Sequence, residues 1–215
     1  MIIEKIRIDI DRGEVMRLLG RIDSEVGEID ARVIRAVDRG IEDAGRLCEP
    51  KGMYMIARGK DLPGSGIFDD LDQVAFCICT IGSMLEDRVT SLTTEGRLLD
   101  AVILDSAGSA AAEATARYMD ESITEEASKA GLKTSCRASP GYGDWDVREQ
   151  EGLFSLVDGG MIGVSLSESC MMKPRKSVSF AKHIDQKPLR LRSENSCRNC
   201  DLDICQYRIS DIKPE

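Results

Sequence analysis

The stretch 136–180, C-R-A-S-P-G-Y-G-D-W-D-V-R-E-Q-E-G-L-F-S-L-V-D-G-G-M-I-G-V-S-L-S-E-S-C-M-M-K-P-R-K-S-V-S-F, constrains the fold more than any other part of this chain. Turn, helix and strand signals follow one another along it. Ser139-Pro140-Gly141-Tyr142 reads as a tight turn with exposed backbone, because Pro fixes one turn residue and Gly accepts a positive φ that a β-carbon disfavours. Asp146 reads as the cap of a helix of about a dozen residues, with Glu149 completing a capping-box-like pair and Gly159-Gly160 ending it. Ile162, Val164 and Leu166 then alternate with Gly163, Ser165 and Ser167, the two-residue period of a half-buried strand. A second strand is expected over 177–184, after Pro174, so the local expectation is turn, helix and hairpin.

Elsewhere the pattern alternates between strands and helices. Residues 2–10, I-I-E-K-I-R-I-D-I, predict an opening strand with one face covered, followed by a short helix over 14–19. Ile29, Val33, Val37, Ile41 and Ala44 recur at helical spacing, so 28–47 reads as an amphipathic helix on a core. Residues 59–70 form a Gly- and Pro-rich loop without the G-K-S or G-K-T of a phosphate-binding loop. Val74 to Thr80 reads as a buried strand in which Cys77 and Cys79 are small apolar fillers on one face. Ser83-x-x-Glu86 predicts a capping box for the next helix. A long helical region covers 98–130, and its small-residue run Ala107-Gly108-Ser109-Ala110-Ala111-Ala112 lets another element or a ligand approach the backbone closely. Glu113 stands at the end of that run. His183, the only histidine, is expected at the surface.

At 215 residues, 42% hydrophobic and 31% charged, the chain fits a globular protein with one well-packed domain. A net charge of -9 argues against nucleic acid as the main partner, since phosphate contacts need clustered Lys and Arg. No apolar run approaches the roughly 20 residues of a membrane span, and the first residues lack the apolar core of a signal peptide. A cytoplasmic protein is therefore expected, with no membrane partner. In that compartment eight cysteines do not form a disulfide framework, and Cys197-x-x-Cys200-x-x-x-x-Cys205 reads as a ligand set for zinc or an iron–sulfur cluster. The fourth ligand is left open among Cys170, Cys136 and a partner group. The expected division is an α+β domain over 1–190 and a cysteine-cluster tail over 191–215.

Two ungapped motifs add a resemblance. Arg137-x-x-Pro140-Gly141-Tyr142 and Leu166-Ser167-Glu168-Ser169-x-x-Met172-x-Pro174-x-x-Ser177-Val178-Ser179, with Glu113-Ala114-x-Ala116-x-Tyr118 upstream, resemble the activation domain of cobalamin-dependent methionine synthase over roughly residues 75–184. The resemblance implies an α+β fold, a twisted, mainly antiparallel sheet with long helices, that binds S-adenosylmethionine. It implies contacts from Glu113, Arg137, Ser139, Gly141 and Tyr142. A guanidinium is the best clamp for a carboxylate, because its planar fork donates two parallel hydrogen bonds, so Arg137 is the expected clamp. The backbone over 139–143 is expected near adenine or ribose, because Gly141 and Gly143 leave room for close approach, and Glu113 near the ammonium, sulfonium or ribose. Tyr142 is expected either to stack on the ligand or to fill core beneath the turn.

The Gly143-Asp144-Trp145-Asp146 continuation is similar to the free-standing relatives of that domain. The corrinoid signature D-x-H-x-x-G is absent, so cobalamin is expected on a partner, a corrinoid-binding methyltransferase or methionine synthase modules, with a reductase as a further partner. Lys173, Arg175 and Lys176 are candidates for docking it. The implied function is that of a methyltransferase component, a reactivation subunit that presents the methyl of S-adenosylmethionine for reductive methylation of oxidised cobalamin. Two alternatives stand beside it: a metal or iron–sulfur electron-transfer or regulatory protein, and a non-catalytic module that binds a corrinoid protein.

Overall fold

The computed structural model describes residues 1–20 and 30–189. Its elements, in chain order, are β1 (Ile2–Ile3), α1 (Arg12–Leu18), α2 (Ala31–Leu47), β2 (Lys51–Ala57), β3 (Val74–Thr80), α3 (Met84–Thr94), α4 (Leu98–Lys129), β4 (Lys133–Thr134), α5 (Gln150–Leu156), β5 (Ser165–Leu166), β6 (Met172–Lys173) and β7 (Ser177–Asp185). Five strands form one antiparallel sheet in the order β1-β2-β3-β7-β4, and β5 pairs with β6 apart from it. The fold is thus α+β, a mainly antiparallel sheet with long helices. Cys197, Cys200 and Cys205 lie outside the described residues.

β3 is the sheet's centre because V-A-F-C-I-C-T is apolar on both faces, and every residue of it is buried. Its register sets Ile78 between Met53 and Ser179. Helix α4, 32 residues and so about 48 Å long at 1.5 Å per residue, is the spine that joins the layers. Ala116, Met119, Ile123 and Ala127 pack on one face of the sheet against Tyr54, Cys77, Cys79, Phe180 and Ile184. Farther toward its start, Ile103, Leu104, Ala107 and Ala111 pack against Val15, Val37, Leu85 and Leu92 of the outer helices. Small residues permit that second contact: a β-carbon on Gly108 would come within 2.6 Å of Leu85 Cδ2. The opposite face of the sheet, with Phe76, Ile78 and Ala181, is covered by Phe68, Trp145, Leu153 and Ile162.

Several local expectations change. Only Ile2–Ile3 of the N-terminal alternation pairs with β2, while Ile6 and Ile10 stay buried outside any strand. Ser83 makes no side-chain cap, because its backbone is helical (φ -97°, ψ -20°) rather than extended, and Glu86 Oε1 accepts the Lys176 backbone N–H at 2.7 Å. Asp146 does accept the Arg148 N–H, but it caps a 3-10 turn, Val147–Glu149, and α5 stops at Leu156 before the glycines. Those glycines open another 3-10 turn, Gly159–Ile162, so the expected hairpin shrinks to β5 and β6, and β7 pairs with β3. His183 is a correction too. It is 6% exposed, since β7 has β3 on one side and β4 on the other. Among the described residues, no helix is long and apolar enough to cross a membrane.

Candidate functional site

The site is set by an irregularity in the sheet edge. β4 meets β7 with Lys133 opposite Asp185 and Thr134 opposite Ile184, and the Ser135 N–H continues that register to the His183 carbonyl at 2.9 Å. Farther on, Ala138 pairs with Ala181 through two hydrogen bonds of 2.9 and 2.7 Å. Cys136 and Arg137 together therefore oppose the single Lys182, the arrangement of a β-bulge, which re-aims a side chain. Arg137 lies on the α4 side, its guanidinium 5.7 Å from the centroid of the Phe180 ring.

There Arg137 Nη2 donates to Glu113 Oε1 of α4 in an ion pair whose side chains are 21% and 40% exposed. Burial works against the charged guanidinium. The charge and hydrogen bond of Glu113, with a smaller pull from Asp120, nevertheless hold the Arg137 pKa above the ordinary arginine value. Beneath the pair, burial pushes the Cys79 thiol up to about 12 against the opposing pull of Arg137, so it is a neutral filler.

The turn follows directly. The Tyr142 N–H donates to the Ser139 carbonyl at 3.2 Å, and Gly141 has φ +90°, which with Pro140 before it is the pattern of a type II turn. Gly141 N–H donates to the Trp145 carbonyl at 2.7 Å, and Trp145 is fully buried edge-on to Phe68, with ring centroids 4.8 Å apart. The core thus fixes the base of the turn. Its outer side is open, and Tyr142 is 54% exposed, so that ring does not fill core. Glu113 and Arg137 touch, and the buried Ser139 and the exposed Gly141 and Tyr142 extend from them in one hydrogen-bonded loop.

Sequence reading missed the polar group next to this pair. Lys182 Nζ forms an ion pair with Asp120 and donates to Thr124 Oγ1 at 2.8 Å, and Thr124 meets Thr134 at 3.0 Å. The signal available was the spacing of Glu113, Asp120 and Thr124 along one face of α4, polar positions within an apolar stripe. Lys176, a docking candidate, is engaged by Ser109 at 2.7 Å and Asp105 at 2.9 Å, whereas the Arg175 side chain is 69% exposed. Cys136 is exposed, and Cys170 is buried with its Sγ 3.5 Å from Glu151 Oε1. Among the described residues no three His, Cys, Asp or Glu side chains are grouped to hold a metal ion. A groove of about 370 Å³ near the start of α4, edged by Arg39, Arg46, Arg88 and Arg97, includes none of the five candidate residues.

The chain is similar in fold to a crystal structure of the MetH reactivation domain bound to AdoHcy, with a TM-score of 0.56 and 16% sequence identity over 91% of this chain and 79% of that one. No curated protein sequence matches it. The family model for the vitamin B12 dependent methionine synthase activation domain matches residues 65–187, which contain Glu113, the bulge at Arg137, the turn at Gly141 and all strands from β3 to β7. On that match, which spans more than half of the sequence, the chain belongs to the vitamin B12 dependent methionine synthase activation domain family.

Proposed function

We propose that this chain binds S-adenosylmethionine on the surface formed by Glu113, Arg137, Ser139, Gly141 and Tyr142. There it supports reductive methylation of oxidised cobalamin carried by a partner corrinoid methyltransferase or methionine synthase module. One observation carries the reading: a guanidinium and a carboxylate, Arg137 and Glu113, lie side by side at the foot of an open turn that bears an exposed tyrosine. A cation beside an anion complements the carboxylate and ammonium of an amino-acid ligand. Family membership supports the role, and AdoHcy is the ligand in the crystal structure of similar fold.

The side chains have binding and orienting work to do. Arg137 would hold the ligand carboxylate, and Glu113 would turn toward the ammonium or sulfonium. Gly141, without a β-carbon, lets the adenosyl group approach the backbone, and Tyr142 stacks on it. S-adenosylmethionine supplies, when bound, an already activated methyl group. None of the five residues has to move a proton, and the environment of Arg137 keeps it charged. Their contribution is to present the methyl in a fixed geometry to a partner. Cys197, Cys200 and Cys205 would hold zinc or an iron–sulfur cluster, by their spacing alone.

Calorimetric titration of S-adenosylmethionine into anaerobically purified protein tests this reading. Saturable binding is expected, weakened at least about 10-fold in Arg137→Ala, since a hydrogen bond to a charged group contributes about 1.5–3 kcal/mol. Folded wild-type protein that gives no binding heat overturns it.

A further inference from the structure

The bulge that aims Arg137 also brings two cations together, because the residue it opposes is Lys182. Like charges facing each other across strands are destabilising, and a buried cation needs an anion. Asp120 meets that need. Its carboxylate pairs with the Lys182 ammonium, whose side chain is 4% exposed, and Thr124 and Thr134 complete the network around it.

Asp120 is seven residues beyond Glu113, two helical turns along the same face of α4. On the facing strand, Phe180 lies under Arg137 and Lys182 pairs with Asp120. These two same-face strand neighbours are about 7 Å apart. Charges therefore alternate along the groove between α4 and β7 in the order Glu113, Arg137, Asp120, Lys182, and both carboxylates, Glu113 in contact and Asp120 farther along, favour the charged Arg137.

We propose that Asp120, held by Lys182, is a positioning residue for Arg137, keeping the guanidinium over Phe180 when an amino-acid carboxylate takes the place of Glu113. This deepens, and rests on, the S-adenosylmethionine reading above. Without Asp120 the guanidinium faces the Lys182 ammonium unshielded and is pushed toward solvent. The clamp then has to be reassembled at each binding event.

The test combines S-adenosylmethionine titration with NMR of the Arg137 Nε–H. In wild type that proton is expected to exchange slowly. In Asp120→Asn it is expected to exchange about 10-fold faster, with S-adenosylmethionine affinity reduced by about 10-fold and both largely restored in Asp120→Glu. A folded Asp120→Asn protein with wild-type affinity, or with weakened affinity but an unchanged Arg137 signal, overturns the proposal. Glu113→Gln gives a route that leaves the buried pair intact. Its Arg137 Nε–H is expected to stay protected because Asp120 remains, and exchange as fast as that of free arginine overturns the proposal. Wild-type protein that does not bind at all removes the ligand reading itself, whereas wild-type binding with an indifferent Asp120→Asn removes only the role of Asp120.

Discussion

His183 shows how far a single residue's behaviour follows from its place in the sheet. Its Nδ1 accepts the Leu189 N–H at 3.0 Å, so the fold uses the neutral ring. Burial pushes its pKa below the usual 6.5, outweighing the opposing pull of Asp185 and Asp72. Between the lowered native pKa and the unfolded value the unfolded chain binds more protons. The contribution of His183 to stability is accordingly complete above about pH 6.5, declines as pH falls through the native pKa, and levels off below it. Being the only histidine, it gives one set of imidazole resonances by NMR, free of overlap with other histidines. The expected midpoint lies below 6.5, and His183→Gln is expected to flatten the stability profile between about pH 7 and 5. A midpoint at or above 6.5 contradicts this account. The sequence made the Gly141 turn legible, because Pro and Gly there act through local backbone geometry. It hid His183 and Lys182, whose surroundings come from Ser135, Leu189 and Asp120 on other elements.

At the scale of elements, α4 was legible and its partners only partly so. A helix of 32 residues announces itself by composition and period, yet the apolar stripe does not say that both ends pack on different layers. The same limit explains the missing capping box at Ser83: Glu86 has the right spacing, but an N–H from 90 residues away takes its carboxylate. The alternation over 162–166 likewise misled, because burial of Ile162 at the end of a 3-10 turn, and of Val164 just after it, against the core arises as readily as in a strand. Close helix packing gives a paired prediction. Gly108→Ala gains up to about 1 kcal/mol of helix propensity but drives a methyl into Leu85, which is fully buried and has nowhere to go. Overpacking of that kind costs about 1–3 kcal/mol, so net destabilisation of about 1 kcal/mol is expected. Gly45→Ala, on the exposed side of α2 with nothing within 4 Å, is expected to stabilise by up to about 1 kcal/mol. Urea unfolding of the two variants measures both signs, and a stabilised Gly108→Ala would show that α3 yields to α4.

For the whole molecule, the question is where the domain ends. Among the described residues, the three buried clusters draw on residues from Ile6 to Ile184, and the sheet has β1 and β4 at its edges. The division into a domain over 1–190 and a tail over 191–215 that carries Cys197, Cys200 and Cys205 is accordingly a proposal that truncation tests. A chain ended after Leu189 is then expected to unfold within about 2 °C of the full chain, the shift that about 0.5 kcal/mol produces at this size. Its affinity for S-adenosylmethionine should match that of the full chain to within about twofold, because the five candidate residues and the Asp120–Lys182 pair are retained. Metal content separates the remaining readings: protein purified anaerobically as the full chain should carry zinc or iron with sulfide, and the shortened chain none. Failure of the shortened chain to fold would place the last 26 residues inside the domain. A folded, ligand-binding short chain beside a metal-bearing full chain would assign binding of the methyl donor to the α+β domain and the metal chemistry to the cysteines after it.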